Sequence, residues 1–331
     1  FVDLFNAIEH FVADRPGVQK VESQQQEGLN QLVHDKATQW VDRSIGKSSM
    51  IVWQVAVDQE KYLPLDCFWL CPSETPAQCF VIRQQFDEFR QITKLELACA
   101  VQGAGETVLD AITEHSKIHS IYRNQNLHLS YETSKKDDYG DIEKPERFQV
   151  MFSAVEPVTD ADIVLTGEHL RVLKRNVVDL FDRREILKAN GVPARRGLLL
   201  HGPPGTGKTY ACRYLCHQLD NVTKIFVTGS SLTNVGQIFS LARLLQPAVL
   251  FLEDVDLIFA SREINLYSTA LGDLLDQMDG LRSQEEICVV LTTNAIDRLE
   301  AAIKDRPGRI SQCVYMGPPN PKLRRRYIEH Y

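Results

Sequence analysis

The chain has 331 residues, of which 44% are hydrophobic and 24% are charged, and its formal net charge is −7 at pH 7. This length and composition suit two globular domains and exclude a disordered chain, and no apolar run approaches the roughly 18 residues that a membrane-spanning helix needs. Residues 1–160 carry 15 basic and 25 acidic side chains, whereas residues 161–331 carry 22 and 19, which disfavours a nucleic-acid platform in the acidic front half.

Residues 1–155 are predicted to form an α+β domain. Helical periodicity marks residues 1–13, 29–41, 86–97 and 106–120, and strand character marks residues 50–57, 62–70, 78–83, 127–131 and 147–154. The charged segment 134–144 contains Gly140 and is predicted to be a surface loop. We interpret this domain as an adaptor or substrate-recognition module for an unknown protein.

Residues 156–166 combine proline with acidic side chains and are predicted to link this domain to a second one. A helical pattern over residues 167–190 follows, and short apolar runs then alternate with helical segments. The runs cover residues 198–200, 225–227, 248–252, 287–291 and 313–316. This alternation predicts an α/β domain over residues 167–317 with a parallel five-stranded sheet.

The segment His201–Thr209 matches the phosphate-binding pattern GxxxxGK[ST], with a strand before it and a helix after it. Glycines allow close approach of the backbone N–H groups to phosphates, Lys208 reaches the β and γ phosphates, and the Thr209 hydroxyl is a Mg²⁺ ligand. We therefore predict a P-loop NTPase fold, with ATP and Mg²⁺ as cofactors. The nucleotide-contacting residues are predicted to be Gly202, Pro203, Pro204, Gly205, Thr206, Gly207, Lys208, Thr209 and Tyr210.

Hydrolysis also needs carboxylates, a group that positions water and a cation that stabilises the transition state. The apolar strand 248–252 ends at Glu253 and Asp254, so both carboxylates are expected beside the phosphates. A second buried strand ends at Asn294, whose amide can hold a water molecule or the γ-phosphate. Arg306 and Arg309 lie on either side of a Pro-Gly turn and supply two guanidinium groups.

Residues 162–331 resemble the AAA branch of the AAA+ ATPases. The resemblance rests on GPPGTGKT, on the acidic strand at residues 247–256, on LLDQMDGL at residues 274–281, on Thr293-Asn294 and on RPGR at residues 306–309. It implies an ATP-hydrolysing ring, usually hexameric in the family, and places the start of an α-helical lid, cut short by the chain end, at residues 318–331. Because no targeting segment is evident and the eight cysteines are read as reduced thiols, we expect a cytoplasmic protein.

The resemblance also implies roles for individual residues. Lys208 is a catalytic residue of the phosphate loop, Glu253 supports Mg²⁺ together with Thr209, and Asp254 is the base for the attacking water. Asn294 matches the family's sensor 1, and Arg306 and Arg309 match arginine fingers that reach the nucleotide of a neighbouring subunit. Asp162 and Ile163 occupy the place of an adenine-contacting Asp-Ile-Gly, although Val164 replaces the glycine.

Two departures from the family pattern bear on function. The family has Asp-Glu where this chain has Glu253-Asp254. Asp254 is one methylene shorter than Glu, and a base displaced by about 1 Å can lower a rate about 100-fold, so we expect hydrolysis whose rate this shorter side chain can lower. The same order is typical of the branch that includes the mitochondrial translocase of folded Rieske protein. Residues 228–234 form a short loop without the aromatic residue that threading members use to grip extended chains.

The sequence therefore favours an ATP-hydrolysing ring that remodels or moves a protein partner. An ATP-gated assembly switch with slow hydrolysis is the alternative. A nucleic-acid loader or helicase is disfavoured by the acidic front half.

Overall fold

The computed structural model describes residues 1–22, 48–88, 90, 92–132, 135–136, 142–144, 147–193, 196–259, 264–282, 284–297 and 310–330. The chain forms two compact units. Unit 1 comprises Phe1–Ile121 and Thr133–Arg147, and unit 2 comprises Tyr122–Glu132 and Phe148–Tyr331. The predicted helix over residues 29–41 lies outside the described residues. Within the described ranges, every helix is too short or too polar to cross a lipid bilayer.

The strands are numbered in chain order. They are β1 (Gln19–Glu22), β2 (Met50–Ala56), β3 (Gln59–Pro64), β4 (Asp66–Cys71), β5 (Phe80–Asp87), β6 (Ile92–Cys99), β7 (Asn126–Glu132), β8 (Lys135–Lys136), β9 (Ile142–Lys144), β10 (Arg147–Phe152), β11 (Arg196–His201), β12 (Thr223–Thr228), β13 (Ala248–Glu253), β14 (Ile287–Thr293) and β15 (Gln312–Tyr315).

The α-helices are α1 (Val2–Val12), α2 (Ala104–Ile118), α3 (Gly167–Leu173), α4 (Asp179–Asp182), α5 (Arg184–Ala189), α6 (Lys208–His217), α7 (Val235–Leu244), α8 (Ile264–Asp279) and α9 (Pro321–His330). A π-helical turn spans Lys174–Val178, and 3₁₀ turns span Pro76–Gln78, Gly229–Asn234 and Val255–Phe259.

Unit 1 contains a four-stranded antiparallel sheet in the order β1-β4-β5-β6, and β2 and β3 form a separate antiparallel hairpin. Helices α1 and α2 pack on each other and on the sheet. The core unites both helices with the central strands and includes Phe5, Ile8, Trp69, Ile82 and Ile112. The α+β prediction for this part of the chain agrees with these elements.

One predicted helix in this unit is wrong. Residues 86–97 form the end of β5 and most of β6. Leu95, Leu97 and Cys99 alternate with polar or small residues and pack against the core, which is the period of two that a strand requires. The segment 134–144, predicted as a loop, contains the paired short strands β8 and β9.

A buried ion pair crosses the sheet of unit 1. The Arg83 side chain is 1% exposed, and its Nη2 and Nε donate to the two carboxylate oxygens of Asp66 at 2.7 and 2.9 Å. Its Nη1 donates to Glu96 at 3.1 Å. The charged groups of Arg83 and Asp66 therefore satisfy each other in the interior.

Unit 2 contains a seven-stranded sheet in the order β10-β7-β12-β13-β14-β11-β15. The five predicted strands are β11 to β15, they are neighbours in the sheet, and their pairings are parallel. Strands β7 and β10 extend this sheet beyond β12. The predicted boundary at residue 155 leaves both strands in the front domain, whereas residues 122–132 and 148–155 belong to unit 2.

Strand β7 pairs with β12, and Arg123 just before it is bound to the segment that precedes β13. The two strands pair in parallel from Lys224 opposite Asn126 to Val227 opposite Leu129. The guanidinium of Arg123 donates to the backbone carbonyls of Gln246 and Leu244, the second at 3.2 Å. Because the sequence between residues 121 and 132 pairs with a strand about 100 residues later, local patterns could not reveal this position.

The predicted helix over residues 167–190 is divided into shorter elements. Thr166 caps α3 by accepting a hydrogen bond from the His169 N–H at 3.1 Å. After α3 the π-helical turn Lys174–Val178 adds an extra residue to one turn, and α4 and α5 follow. Leu173, Val177, Leu180 and Phe181 nevertheless share the buried face that helical spacing predicts.

We expect Arg83→Met to destabilise unit 1 by about 3–5 kcal/mol, because removing one partner leaves a buried carboxylate without its counter-charge. Trp40, Trp53 and Trp69 are the three tryptophans of the chain, and all fall within residues 1–121. Urea unfolding followed by tryptophan fluorescence therefore reports on this unit.

Arg90→Met is the matched control. The Arg90 side chain is 67% exposed and lies 4.0 Å from Asp87, so its removal should change stability by less than about 1 kcal/mol. Equal unfolding midpoints for the two variants would contradict a stabilising role for the buried pair.

Candidate active site

The phosphate loop connects the end of β11 to the start of α6. Gly202, Gly205 and Gly207 have φ angles of 151°, 76° and 90°, which side chains other than glycine rarely adopt. A Cβ atom at Gly202 would lie 2.1 Å from the Met316 carbonyl oxygen. The loop is therefore held against the segment after β15, and its path depends on glycine.

Lys208 and Thr209 begin α6. The Lys208 side chain is buried, and its Nζ donates to the carbonyls of Gly202 and Pro203 at 2.8 Å each. Burial lowers the pKa of Lys208, while Asp254 and Asp256 oppose this shift. The Thr209 hydroxyl donates to Glu253 Oε2 at 3.0 Å. The structure thus brings the predicted phosphate-binding and metal-binding side chains to one place.

Glu253 and Asp254 lie at the carboxyl end of β13. Burial raises the pKa of Glu253, Asp254 raises it further, and the Thr209 hydrogen bond opposes both. Asp254 has a φ of 50°, in the left-handed region, and its backbone N–H donates to Thr292 Oγ1 at 2.9 Å. The backbone turns at Asp254, and the two consecutive carboxylates have different partners: Glu253 accepts from Thr209 and Asp254 accepts from Asn294.

Asn294 is held by two carboxylates. Its Nδ2 donates to Asp254 Oδ1 at 3.3 Å, and its backbone N–H donates to Asp256 Oδ1 at 2.9 Å. The same Asp256 oxygen accepts a hydrogen bond from the Thr293 hydroxyl at 3.0 Å. Asp256 thus fixes the end of β14, a contact that the sequence analysis missed because it joins residues 37 and 38 positions apart.

Gly229 supports Asp254 from the neighbouring strand end. A Cβ atom at Gly229 would lie 2.5 Å from the Asp254 carbonyl oxygen and 2.8 Å from Leu257 Cβ. The 3₁₀ turn Gly229–Asn234 therefore packs directly on the backbone of the acidic strand end. This turn is the short loop in which the sequence offers no aromatic residue.

A cavity of about 700 Å³ adjoins the phosphate loop. Its lining includes Gly205, Thr206, Gly207 and Tyr210, together with the predicted pair Asp162 and Ile163. The lining residues that the sequence did not predict are Leu165, Thr166, His169, residues 315–320, Leu323 and Tyr327. The Asp162 carboxylate accepts hydrogen bonds from the Thr159 N–H at 2.8 Å and hydroxyl at 2.6 Å, so this side chain shapes the turn 159–162.

A second cavity of about 420 Å³ includes Thr209, Arg213 and Glu253 in its lining. His128 of β7 and residues 153–156 after β10 also line it. The strands that extend the sheet thus contribute to the surroundings of the Thr209–Glu253 pair. Arg306 and Arg309 lie outside the described residues.

We expect Gly202→Ala to lower the thermal stability of unit 2 strongly, because the added methyl group collides with the Met316 carbonyl. Hydrogen exchange should accelerate in peptides that cover β11 and β15. Gly205→Ala is the control, since its φ is also positive but a Cβ there lies more than 4 Å from every other residue that the structure describes, its chain neighbours aside. Equal losses of thermal stability in the two variants would show that the positive φ alone causes the destabilisation and that the contact with the Met316 carbonyl adds nothing.

Comparison with known proteins finds ATPases, which agrees with the phosphate loop and the acidic strand end described above. Residues 198–318 match the model of the ATPase family associated with various cellular activities (AAA). Proteasome-activating nucleotidase 2 of Halobacterium salinarum is 34% identical over 205 residues, which cover 57% of this chain and 49% of that protein. The 26S proteasome regulatory subunit 8 homolog of Schizosaccharomyces pombe is 33% identical over 196 residues, covering 53% and 48%.

A probable 26S proteasome regulatory subunit 10B of Caenorhabditis elegans is 34% identical over 185 residues, covering 50% of this chain and 44% of that protein. The chain spans about half the length of the curated relatives that it matches. The resemblance to the AAA branch that the motifs indicated is confirmed by the family match. Residues 198–318 are therefore a domain of the AAA ATPase family.

Proposed function

We propose that this chain is a Mg²⁺-dependent ATPase that assembles into a ring and remodels or moves a protein partner. The observation that carries the proposal is the convergence of Thr209, Glu253, Asp254 and Asn294 at the phosphate loop, with bonds of 3.0 Å and 3.3 Å joining them in pairs. These are the groups that phosphoryl transfer to water requires. Their assembly in an AAA domain supports ATP hydrolysis.

The residues fit a Mg²⁺ ion. Mg²⁺ prefers oxygen ligands and is usually held by one or two protein oxygens together with the phosphates of the substrate. The Thr209 hydroxyl and the Glu253 carboxylate supply such oxygens 3.0 Å apart. A bound Mg²⁺ would neutralise phosphate charge, and a cation there would favour the ionised carboxylate that burial disfavours.

The other roles follow from position. Lys208 supplies positive charge to the phosphates, Asp254 accepts the proton of the attacking water, and Asn294 holds that water in place. Asp256 and Thr292 keep Asn294 and Asp254 in their orientations through the hydrogen bonds described above. Arg306 and Arg309 are proposed to enter the site of a neighbouring subunit and stabilise charge in the transition state.

A protein partner is favoured over nucleic acid. The curated relatives are named for activating or regulating the proteasome, and the acidic excess of residues 1–160 would repel a phosphate backbone. We infer that residues 1–155 recognise this partner or an adaptor. All eight cysteines are free thiols, which supports a reducing, cytoplasmic location.

We expect Asp254→Asn to lower steady-state ATP turnover about 100-fold or more, because the amide cannot accept the proton of the attacking water. Nucleotide binding should persist, since the phosphate loop is unchanged. Asp220→Asn, which changes an exposed carboxylate of unit 2, is the control. Equal and negligible turnover in wild type and Asp254→Asn would instead favour an ATP-gated switch, in which nucleotide controls assembly alone.

Complementation tests whether neighbouring subunits share a site. Asp254→Asn lacks the base but keeps both arginines, whereas the double variant Arg306→Ala/Arg309→Ala keeps the base. Mixing the two inactive proteins should restore turnover, because a double-variant subunit then receives arginines from its neighbour. Turnover in the mixture no higher than the sum of the separate proteins would contradict arginines acting between subunits.

A further inference from the structure

A hydrogen-bonded cluster around Asp160 joins three elements that surround the 700 Å³ cavity. The Asp160 cluster consists of Asp160, Lys174, Tyr214 and Arg326. Asp160 Oδ1 accepts a hydrogen bond from the Tyr214 hydroxyl, and Oδ2 accepts one from Lys174 Nζ at 3.0 Å. Arg326 Nη2 donates to the backbone carbonyls of Asp160 and Ala161 at 3.3 and 3.4 Å.

Tyr214 connects this cluster to the phosphate loop. It lies on α6, the helix that begins with Lys208 and Thr209, and one turn after Tyr210, which lines the cavity. Its side chain is fully buried in the core with Ile163 and Leu173, and only the hydroxyl reaches Asp160. Because the buried Tyr214 ring cannot follow, a shift of the turn 159–162 relative to α6 would break the hydrogen bond between Tyr214 and Asp160.

Asp160 is suited to hold these partners because it is charged. Hydrogen bonds from Tyr214 and Lys174 lower the pKa of Asp160, and the carboxylate is therefore ionised at neutral pH. Hydrogen bonds to an ionised acceptor are stronger than those between neutral groups. Lys174 opens the π-helical turn Lys174–Val178, a rare element that often occurs at functional sites.

The turn that carries Asp160 also forms one wall of the cavity. Asp162 closes the turn by accepting hydrogen bonds from Thr159, and Asp162 and Ile163 line the cavity directly after it. Arg326 belongs to α9, whose Leu323 and Tyr327 form the opposite part of the lining. The Asp160 cluster therefore touches the phosphate-loop helix, the turn 159–162 and α9 at the same time.

We propose that Asp160 is a positioning residue that sets the spacing between the phosphate loop and the wall that holds the nucleoside part of the substrate. This inference rests on the proposed function, since it takes ATP as the ligand. A nucleoside triphosphate can bind the phosphate loop and the cavity wall at the same time only when the distance between them matches the length of the molecule. Asp160 secures that match without contacting the ligand.

Comparison of ATP with tripolyphosphate isolates this effect. Both ligands use the phosphate loop, but only ATP also uses the cavity wall. Loss of the Asp160 contacts should therefore weaken ATP and leave tripolyphosphate unchanged. We expect Asp160→Ala, which removes both acceptor oxygens, to raise the dissociation constant of ATP about tenfold, in keeping with the loss of a hydrogen bond to a charged group.

The measurement is isothermal titration calorimetry on the full chain with Mg²⁺, using ATP and tripolyphosphate as separate probes. Tyr214→Phe removes the hydroxyl that donates to Asp160 and should reproduce the selective loss of ATP affinity. The double variant should lose little more than either single variant, because both remove the same contact. Asp182→Asn, which alters an exposed carboxylate on α4 away from the cavity, should bind both ligands as wild type does.

Each other outcome overturns the inference in a recognisable way. Equal weakening of ATP and tripolyphosphate would show that Asp160 supports the fold of the whole site. Unchanged ATP affinity in Asp160→Ala and Tyr214→Phe would show that the cluster does not position the wall. A wild-type chain that binds ATP no more tightly than tripolyphosphate, or that binds neither probe, would refute the proposed ATP site itself.

Discussion

The parallel register of the four buried strands β11 to β14 determines where the polar residues at the strand ends of the candidate site lie. His201 pairs opposite Thr293, and Thr228 pairs opposite Glu253. The interiors of these strands are apolar and fully buried, so a shift in register would expose apolar side chains and bury polar ones. Because all four strands run in one direction, their polar ends meet at one edge of the sheet, where the phosphate loop begins.

The backbone at that edge leaves no space for a side chain at two glycines. Gly202 lies against the Met316 carbonyl, and Gly229 lies against the Asp254 carbonyl. The left-handed φ of 50° at Asp254 costs free energy, although less for aspartate than for most residues with a side chain. The hydrogen bond from its N–H to Thr292 offsets part of this cost. The position of the Asp254 carboxylate thus depends on neighbours that carry no charge.

Local sequence patterns identified the parts of the site that are continuous in the chain. The phosphate loop, the Glu253-Asp254 pair and Asn294 each follow directly from a strand end, so periodicity and motif spacing were enough to place them. The contacts of Asp256, Gly229 and Asp160 join segments that are distant in sequence, and no local pattern encodes such pairs. The same reason explains β7, which pairs with β12 about 100 residues later, and the helix wrongly predicted over residues 86–97 shows tertiary packing overriding a weak helical pattern.

The path of the chain through the sheet of unit 2 has a consequence for how the protein can be divided. The chain contributes β7 to this sheet, leaves it for residues 133–147 of unit 1, and returns as β10. A fragment beginning after residue 155 would lack both strands and would leave the backbone groups on the β7-facing edge of β12 without partners, while the pairing with β13 would remain. Unpaired strand edges favour association with other chains. The two units are thus joined by three covalent crossings, after residues 121, 132 and 147. A division of the chain after Ile121 would keep the seven-stranded sheet whole and would separate from unit 1 only residues 133–147, whose strands β8 and β9 pair with each other.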